Sequence, residues 1–272
     1  MTFQTDGIVV ENERFKPSYF LLTLYCPPIA NEIKTGQFIM LKVSDNHSPL
    51  LRRPFSIYKS YPVDHPEKNK RGCLLILYKI VGKGTQRMTE FKKGRKVNMI
   101  GPLGNGFSLP PLPSSTNIIL IGGGVGIVSL YSLAEVLGFR NLSVFIGGKT
   151  KDDILCEKEF KKRNASKISI ATEDGSLGYK GTVIDLFLSQ ERRFKRGASR
   201  YIYSCGPVEM LKGLARAVKS KEVVCQVSLE ARMGCGFGAC WGCVVKTNDT
   251  NTPYQRVCKE GPVFNLKDIV WE

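Results

Sequence analysis

The chain has 272 residues, with 40 Lys and Arg against 24 Asp and Glu, and nine cysteines. A chain of that length builds a core without disulfide staples, and an odd thiol count behind a start (MTFQTDGIVVENERF) with no apolar leader points to a reducing, cytoplasmic setting. The formal charge of +16 invites a nucleic-acid partner, but the excess is spread over residues 1–222 while residues 223–272 carry five bases and five acids, so no basic stripe forms and no nucleic acid is expected.

Residues 1–110 are cut by turn residues into short β-rich runs: Phe20 to Cys26, Gly36 to Val43, Phe55 to Tyr61, Cys73 to Val81 and Lys96 to Ile100. Such runs are the signature of a small antiparallel barrel or sandwich. PPLPSSTN, Pro110 to Asn117, reads as a linker. Over residues 111–222 the rhythm changes to strand alternating with helix, from NIILIGGG and VSLYSLAEVLGF through to YIYSCGP and VEMLKGLARAVKS, which implies a parallel sheet with helices on its faces. The most apolar stretch, Ile118 to Phe139, is interrupted by glycines and Glu135, so it reads as strand plus helix and no membrane span is expected. Residues 223–272 are glycine- and cysteine-rich and too short for a large core, so their cysteines are the candidates for holding them.

Candidate sites follow the same order. LRRPFSIY places Arg53, Phe55 and Ser56 together at the head of a strand. VGKGTQRMTEF follows a strand and suggests a helix with Thr85 as its cap, a place for a phosphate, although an ordinary capping turn reads equally well. IGGGVGIV, Ile121 to Val128, lies between a strand and a helix, where free N–H groups attract a pyrophosphate; its spacing departs from G-x-G-x-x-G, and a tight turn needs glycine in any case. Cys235, Cys240 and Cys243 follow C-x4-C-x2-C, with Cys258 after fourteen intervening residues. That spacing presents three thiolates from one loop to a plant-type 2Fe-2S cluster, with a distant cysteine as fourth ligand; zinc is the alternative, but zinc sites usually pair two C-x2-C knuckles and only one is present. His47 and His65 sit in polar, proline-containing loops, so no acid–base catalyst for a substrate is evident.

RPFS, VGKGT, GPLGNGF, GGGVG, CGP and the cysteine quartet occur in the order found in the ferredoxin reductase superfamily. With ATEDGSLGYKG and RVCKEGPVF added, the chain resembles, almost end to end, the electron-transfer subunits of class B, NAD-dependent dihydroorotate dehydrogenases. The resemblance implies a multi-domain β plus α/β protein: an FAD-binding β-barrel at 1–110, an NAD-binding Rossmann-like domain at 111–222 and a small 2Fe-2S cluster domain at 223–272. It implies that Arg53 pairs with the FAD pyrophosphate, that Pro54, Phe55 and Ser56 line the isoalloxazine, that Tyr78, Lys79 and Ile80 flank it, and that Gly84 and Thr85 hold the pyrophosphate from the other side. Gly122, Gly124 and Gly126 would receive NAD, and Cys205, Gly206 and Pro207 would sit where the nicotinamide meets the flavin, Cys205 as a small residue shaping the site rather than a reactive thiol. Cys235, Cys240, Cys243 and Cys258 would ligate the cluster. Where the family often has prolines after the glycine turn, this chain has Val128 and Ser129. KTKDD, Lys149 to Asp153, offers acids suited to a free ribose hydroxyl and lysines suited to a 2′-phosphate, and the family favours NADH.

The implied function is passage of electrons between NAD(H), FAD and the cluster, to or from a separate FMN-containing dihydroorotate dehydrogenase subunit of pyrimidine biosynthesis, in a heterotetramer of two plus two. The same parts would serve a reductase subunit feeding ferredoxin, a hydrogenase or another oxidoreductase. A zinc-stabilised basic module binding nucleic acid is the reading from another class, and it lacks interleaved aromatic and basic residues.

Overall fold

The computed structural model describes residues 1–46, 48–109, 117–139, 142–163, 167–190, 200–219 and 222–271. His47, most of the expected linker and the basic run Glu191 to Arg196 lie outside the described residues.

The first seven strands are β1 (Phe3–Lys16), β2 (Tyr19–Tyr25), β3 (Phe38–Leu41), β4 (Arg53–Ser56), β5 (Lys59–Tyr61), β6 (Cys73–Lys79) and β7 (Lys96–Leu103). They form one antiparallel sheet in the order β4-β3-β7-β1-β2-β6-β5. The strongest expected runs, Phe20 to Cys26 and Cys73 to Val81, appear as β2 and β6, paired from Tyr19 with Lys79 to Tyr25 with Cys73. The run from Phe55 to Tyr61 is split into β4 and β5. Two short helices, α1 (Pro27–Glu32) and α2 (Lys83–Met88), add Ile29, Ala30 and Met88 to the barrel core.

A second sheet runs β11-β10-β9-β8-β12-β13-β16. Its strands are β8 (Asn117–Gly123), β9 (Leu142–Gly148), β10 (Lys167–Thr172), β11 (Tyr179–Lys180), β12 (Arg200–Cys205), β13 (Val224–Ser228) and the edge strand β16 (Val263–Asn265). Every pairing is parallel except β13 with β16. Helices cover both faces, so the central strands are apolar on both sides, as NIILIGG shows. Ile118 and Leu120 pack towards α3 (Ile127–Leu137) and α4 (Glu157–Lys162), while Ile119 and Ile121 pack towards α5 (Val183–Gln190) and α6 (Val208–Val218). The helix expected over DILCEKEFKKR begins only at Glu157, because buried Cys156 takes a left-handed backbone (φ 59°) before it.

The two faces have different neighbours, and that positions the site. The α3 and α4 face shares its core with barrel residues Tyr19, Tyr58, Leu75 and Leu77. The α5 and α6 face shares its core with Phe38 and Met40 of the barrel and with Cys243, Val257 and Cys258. The C-terminal segment is thus stitched to both sheets: β13 begins at Val224, next to the expected boundary at 223, and β16 adds to its edge. A two-stranded ribbon of β14 (Val244–Lys246) and β15 (Tyr254–Arg256) completes the segment. Asn105, just after β7, donates its side-chain amide to the carbonyls of Lys259 and Glu260 and its backbone N–H to Gly261, fastening the segment to the barrel. No helix among the described residues is long and apolar enough to cross a membrane.

Candidate functional site

A cavity of about 320 Å³ lies where the barrel, the glycine turn after β8 and the segment after β13 meet. Its barrel wall is Arg53, Pro54, Phe55 and Ser56 of β4, with Phe38, Leu77, Tyr78, Lys79, Val81 and Thr85. β4 pairs with β3 from Phe38 with Ser56 to Leu41 with Arg53, so Phe38, Pro54 and Ser56 share one face of the sheet, and Arg53 and Phe55 reach the cavity from the other. Phe55 stands edge-on to Tyr78 with ring centroids 6.1 Å apart. Burial lifts the Tyr78 phenol well above its ordinary pKa, so it is neutral, and its hydroxyl meets Asn12 Oδ1 at 3.3 Å. Arg53 Nη1 donates to the carbonyl of Leu51 at 2.6 Å, which fixes the guanidinium at the head of the strand.

Two expected residues act differently. Ile80 packs against the barrel core rather than the cavity. Thr85 lines the cavity but lies within the first turn of α2, and Gly82 occupies the cap position. Its Oγ1 accepts from the N–H of Val81 at 2.9 Å and of Gly82 at 3.2 Å and donates to the Gly82 carbonyl at 3.1 Å, so it shapes the turn. Gly84 brings backbone close to the guanidinium, since a β-carbon there would lie 3.0 Å from Arg53 Nε.

The opposite wall comes from Val125, Gly126, Val128 and Ser129. The glycines bring two strand ends together: a β-carbon on Gly126 would lie 2.3 Å from the Cys205 carbonyl oxygen, and one on Gly123 would lie 2.9 Å from Pro207. Gly122 is held by Ile127 in the same way, while Gly124 has φ +52° and open space around it. Cys205, Gly206 and Pro207 therefore buttress the turn from behind. Cys205 is buried, and burial, reinforced by Glu230, pushes its thiol up to about 12 despite hydrogen bonds from Ser228 and Ser129. An un-ionised thiol there is a small packed group. Among the other thiols, Cys26, Cys73, Cys156 and Cys225 are all buried.

Lys79 and Asp153 join the two halves. The Lys79 ammonium meets Asp153 Oδ1 at 2.7 Å, and the Tyr19 hydroxyl donates to the same oxygen at 2.6 Å. Lys16 adds hydrogen bonds to the carbonyls of Lys151 and Ile154. Burial alone would raise Asp153, but Lys79 and Tyr19 outweigh it and hold the carboxyl below its ordinary pKa. This acid of KTKDD is committed to the barrel. His65 is a half-buried loop residue whose Nδ1 accepts from the Glu67 N–H at 3.1 Å.

The four cysteines of the quartet form two pairs. Cys235 lies beside Cys240, and Cys243 beside Cys258. Backbone N–H groups point at the sulfurs, Cys240 N to Cys235 Sγ and Cys258 N to Cys243 Sγ, each at 3.4 Å. Burial raises the Cys235 thiol, but the N–H groups of Cys240, Phe237 and Ala239 prevail and bring it to about 6. The loop coils through Gly236 (φ +85°) and Gly238 (φ +89°), where a β-carbon would strike Met40 and Lys259 respectively. Arg256 clamps it: one guanidinium nitrogen donates to the Gly238 carbonyl at 2.7 Å, the rest engages Glu260, and the group lies 4.4 Å from the Trp241 ring centroid. Among the described residues no three His, Cys, Asp or Glu side chains gather as they would round a single ion.

The third wall of the cavity, Ser228 to Ala231 with Met233 and Pro262, was not legible as a site in the sequence. Its signal is positional: Ser228 pairs with Cys205 at the carboxyl ends of parallel strands, where α/β sheets bind ligands. Glu230, an exposed residue at the cavity's edge, lines this wall. Met233 also lines it and stands two residues before Cys235.

Comparison with known proteins agrees with this geometry. Residues 230–270 match the family described as the iron-sulfur cluster binding domain of dihydroorotate dehydrogenase B, and residues 120–216 match an oxidoreductase NAD-binding domain. The electron transfer subunit of dihydroorotate dehydrogenase B (NAD(+)) from Desulforamulus reducens is 39% identical over 270 residues, covering 98% of each chain. That from Geobacillus thermodenitrificans is 38% identical over 264 residues, covering 96% of each. Among solved structures, an NADH-dependent reduced ferredoxin-NADP oxidoreductase superposes with a TM-score of 0.81 at 26% identity, over 97% of this chain and 90% of that one. Phthalate dioxygenase reductase shares the fold, with a TM-score of 0.61 at 14% identity over 90% and 87% of the two chains.

Proposed function

The chain belongs to the family of electron transfer subunits of dihydroorotate dehydrogenase B, and we propose from its geometry which residues carry each part of that task. It is an oxidoreductase component that exchanges electrons between NAD(H), FAD and a 2Fe-2S cluster and requires a catalytic dihydroorotate dehydrogenase subunit as partner. One observation carries the assignment of roles: a single cavity is walled by the RPFS strand, the glycine turn and the segment that runs into the cysteine loop.

The residues fit the groups. Arg53, fixed through its Nη1, offers a planar fork to a pyrophosphate at the head of β4. Pro54, Phe55, Ser56 and Tyr78 give a flat, largely apolar wall for an isoalloxazine, with the Ser56 hydroxyl as the polar atom at its edge. Gly84 and the turn shaped by Thr85 leave backbone close to Arg53, while Lys79 lends its charge to Asp153 and so fixes the nicotinamide domain against the flavin strand. Gly122, Gly124 and Gly126, backed by Cys205, Gly206 and Pro207, form the dinucleotide turn, and Gly126 brings the nicotinamide side of the cavity opposite Ser56. Ile80 supports from behind. Val128 and Ser129, where relatives often carry prolines, keep the wall close without breaking α3, which begins at Ile127.

Cys235 with Cys240 and Cys243 with Cys258 suit the two irons of a cluster, two thiolates each, better than one tetrahedral ion. The N–H groups aimed at Cys235 and Cys243 would stabilise these sulfurs as thiolate ligands. A flavin supplies the exchange between hydride and single electrons that lets nicotinamide and an iron–sulfur centre communicate. The chain's own contribution is to hold the groups in order, exclude water with the apolar cavity wall and keep Cys205 protonated.

Exposed Phe237, Trp241, Val244 and Tyr254 surround the cysteine loop and offer the partner an apolar, aromatic landing surface. We assign a two-plus-two assembly and a cytoplasmic location, the latter because an odd set of nine cysteines, four of them placed to ligate a cluster, suits a reducing compartment. The test is dihydroorotate-dependent NAD reduction. The chain alone should show none, and the chain mixed with a catalytic subunit of a dihydroorotate dehydrogenase B should show it; robust activity without a partner would overturn the division of labour.

A further inference from the structure

The flavin wall and the cysteine loop meet at Met40. Met40 lies in β3 opposite Pro54 and is fully buried. Its neighbours Ile39 and Leu41 face the barrel core, whereas Met40 and Phe38 face the other way and join the apolar cluster that holds Cys243 and Cys258. Phe38 and Pro54, on that same face, line the cavity. On the far side Gly236, the residue after Cys235, lies so close that a β-carbon would stand 2.4 Å from Met40 Cγ and 2.9 Å from its Sδ. A strand interior with Phe38 and Ile39 as neighbours would ordinarily take a β-branched or aromatic residue; an unbranched thioether suits an irregular gap against a coiled loop.

We propose that Met40 is the positioning residue that holds the cysteine loop at a fixed distance from the flavin wall, and so sets the rate at which electrons cross from one to the other. The inference rests on the reading above of the cavity and the loop as the sites of consecutive electron carriers. With FAD and cluster bound, NADH would deliver two electrons as hydride, the flavin would pass one to the cluster, and the second would follow only after the cluster had handed the first to the partner; Met40 neither gains nor loses any. Its part is steric. Filling the gap keeps water out and keeps the loop from settling at another distance, and groups that support a metal centre in this way typically change its behaviour strongly when removed.

The experiment uses the full chain carrying FAD and cluster, mixed anaerobically with NADH in a stopped-flow instrument. Flavin reduction is followed by absorption and cluster reduction by freeze-quench EPR, with spin counting at full reduction to give cluster content. Met40→Ala should reduce its flavin at the wild-type rate but its cluster about tenfold or more slowly. Met40→Leu, which nearly conserves volume, should stay within about twofold of wild type. If Met40→Ala fails to retain its cluster, Met40→Val, which leaves a smaller gap, decides and should slow the same step. Wild-type cluster reduction in a fully loaded Ala or Val variant would overturn the proposal, as would equal slowing of flavin reduction or a Leu variant as slow as Ala. Wild-type protein whose cluster is not reduced by NADH would instead refute the function itself.

Discussion

Two glycine-rich turns serve this molecule in opposite ways. In the turn after β8, Gly122, Gly123 and Gly126 exist so that protein can pack on protein, against Ile127, Pro207 and Cys205, and strands buried on both faces support them. In the cysteine loop, Gly236 and Gly238 take left-handed backbone where the loop packs against Met40 and Lys259, with Phe237 and Trp241 more than half exposed beside it. The first turn is held by apolar burial. The second is held by the Arg256 clamp and, on our proposal, by the cluster its thiols bind, so its order should depend on that cluster.

The largest effect should come from removing that ligand. Cys243→Ser should abolish the cluster, and amide exchange should accelerate by orders of magnitude in β14 and β15 while β8 stays protected, because metal-site binding energy is local folding energy. Unchanged protection of the ribbon would erase the distinction between the turns. The reverse manipulation is Leu120→Ala in β8, which should cost about 2–5 kcal/mol of stability while the folded molecules keep the cluster spectrum. It is checked by denaturant melts monitored at both far-UV and cluster wavelengths.

Smaller changes sharpen the comparison at the cavity between the turns. Arg53→Ala removes a charge-assisted contact and should weaken FAD about tenfold to a hundredfold in flavin-fluorescence titrations, leaving the cluster EPR signal intact. Asp153→Asn should cost only about 0.2–1 kcal/mol, since the pair with Lys79 is partly exposed. Its sign with pH is fixed by the depressed carboxyl pKa. The stabilisation is present in full above the unfolded value of about 3.9 and is lost as pH falls through the lower folded value, so wild type and variant should converge in acid. Stability curves measured down to about pH 3 would show it.

How much of this was legible in the sequence varied with how local the cause was. β2, β6, β8 and β9 are apolar runs bounded by turn residues, and they stand close to where they were expected. β1, the longest strand at fourteen residues, was missed because FQTDGIVVENERFK exposes most of its side chains and interleaves charges with its apolar positions. The cysteine spacing revealed the quartet, because one loop must present three thiolates. The wall from Ser228 to Met233 was invisible, since only strand order places it at the carboxyl edge beside Cys205. The same is true of the tie between Lys79 and Asp153, 74 residues apart, and of Thr85, whose hydroxyl the turn itself consumes.

The central claim is that one cavity and one loop form a continuous route from NADH to the cluster. Its most direct test is an anaerobic titration of the loaded chain with NADH, following flavin absorption and the EPR signal of the reduced cluster together. The account predicts that both respond to NADH in the absence of any partner. A flavin that bleaches while the cluster stays oxidised under a low-potential chemical control that does reduce it would contradict the route.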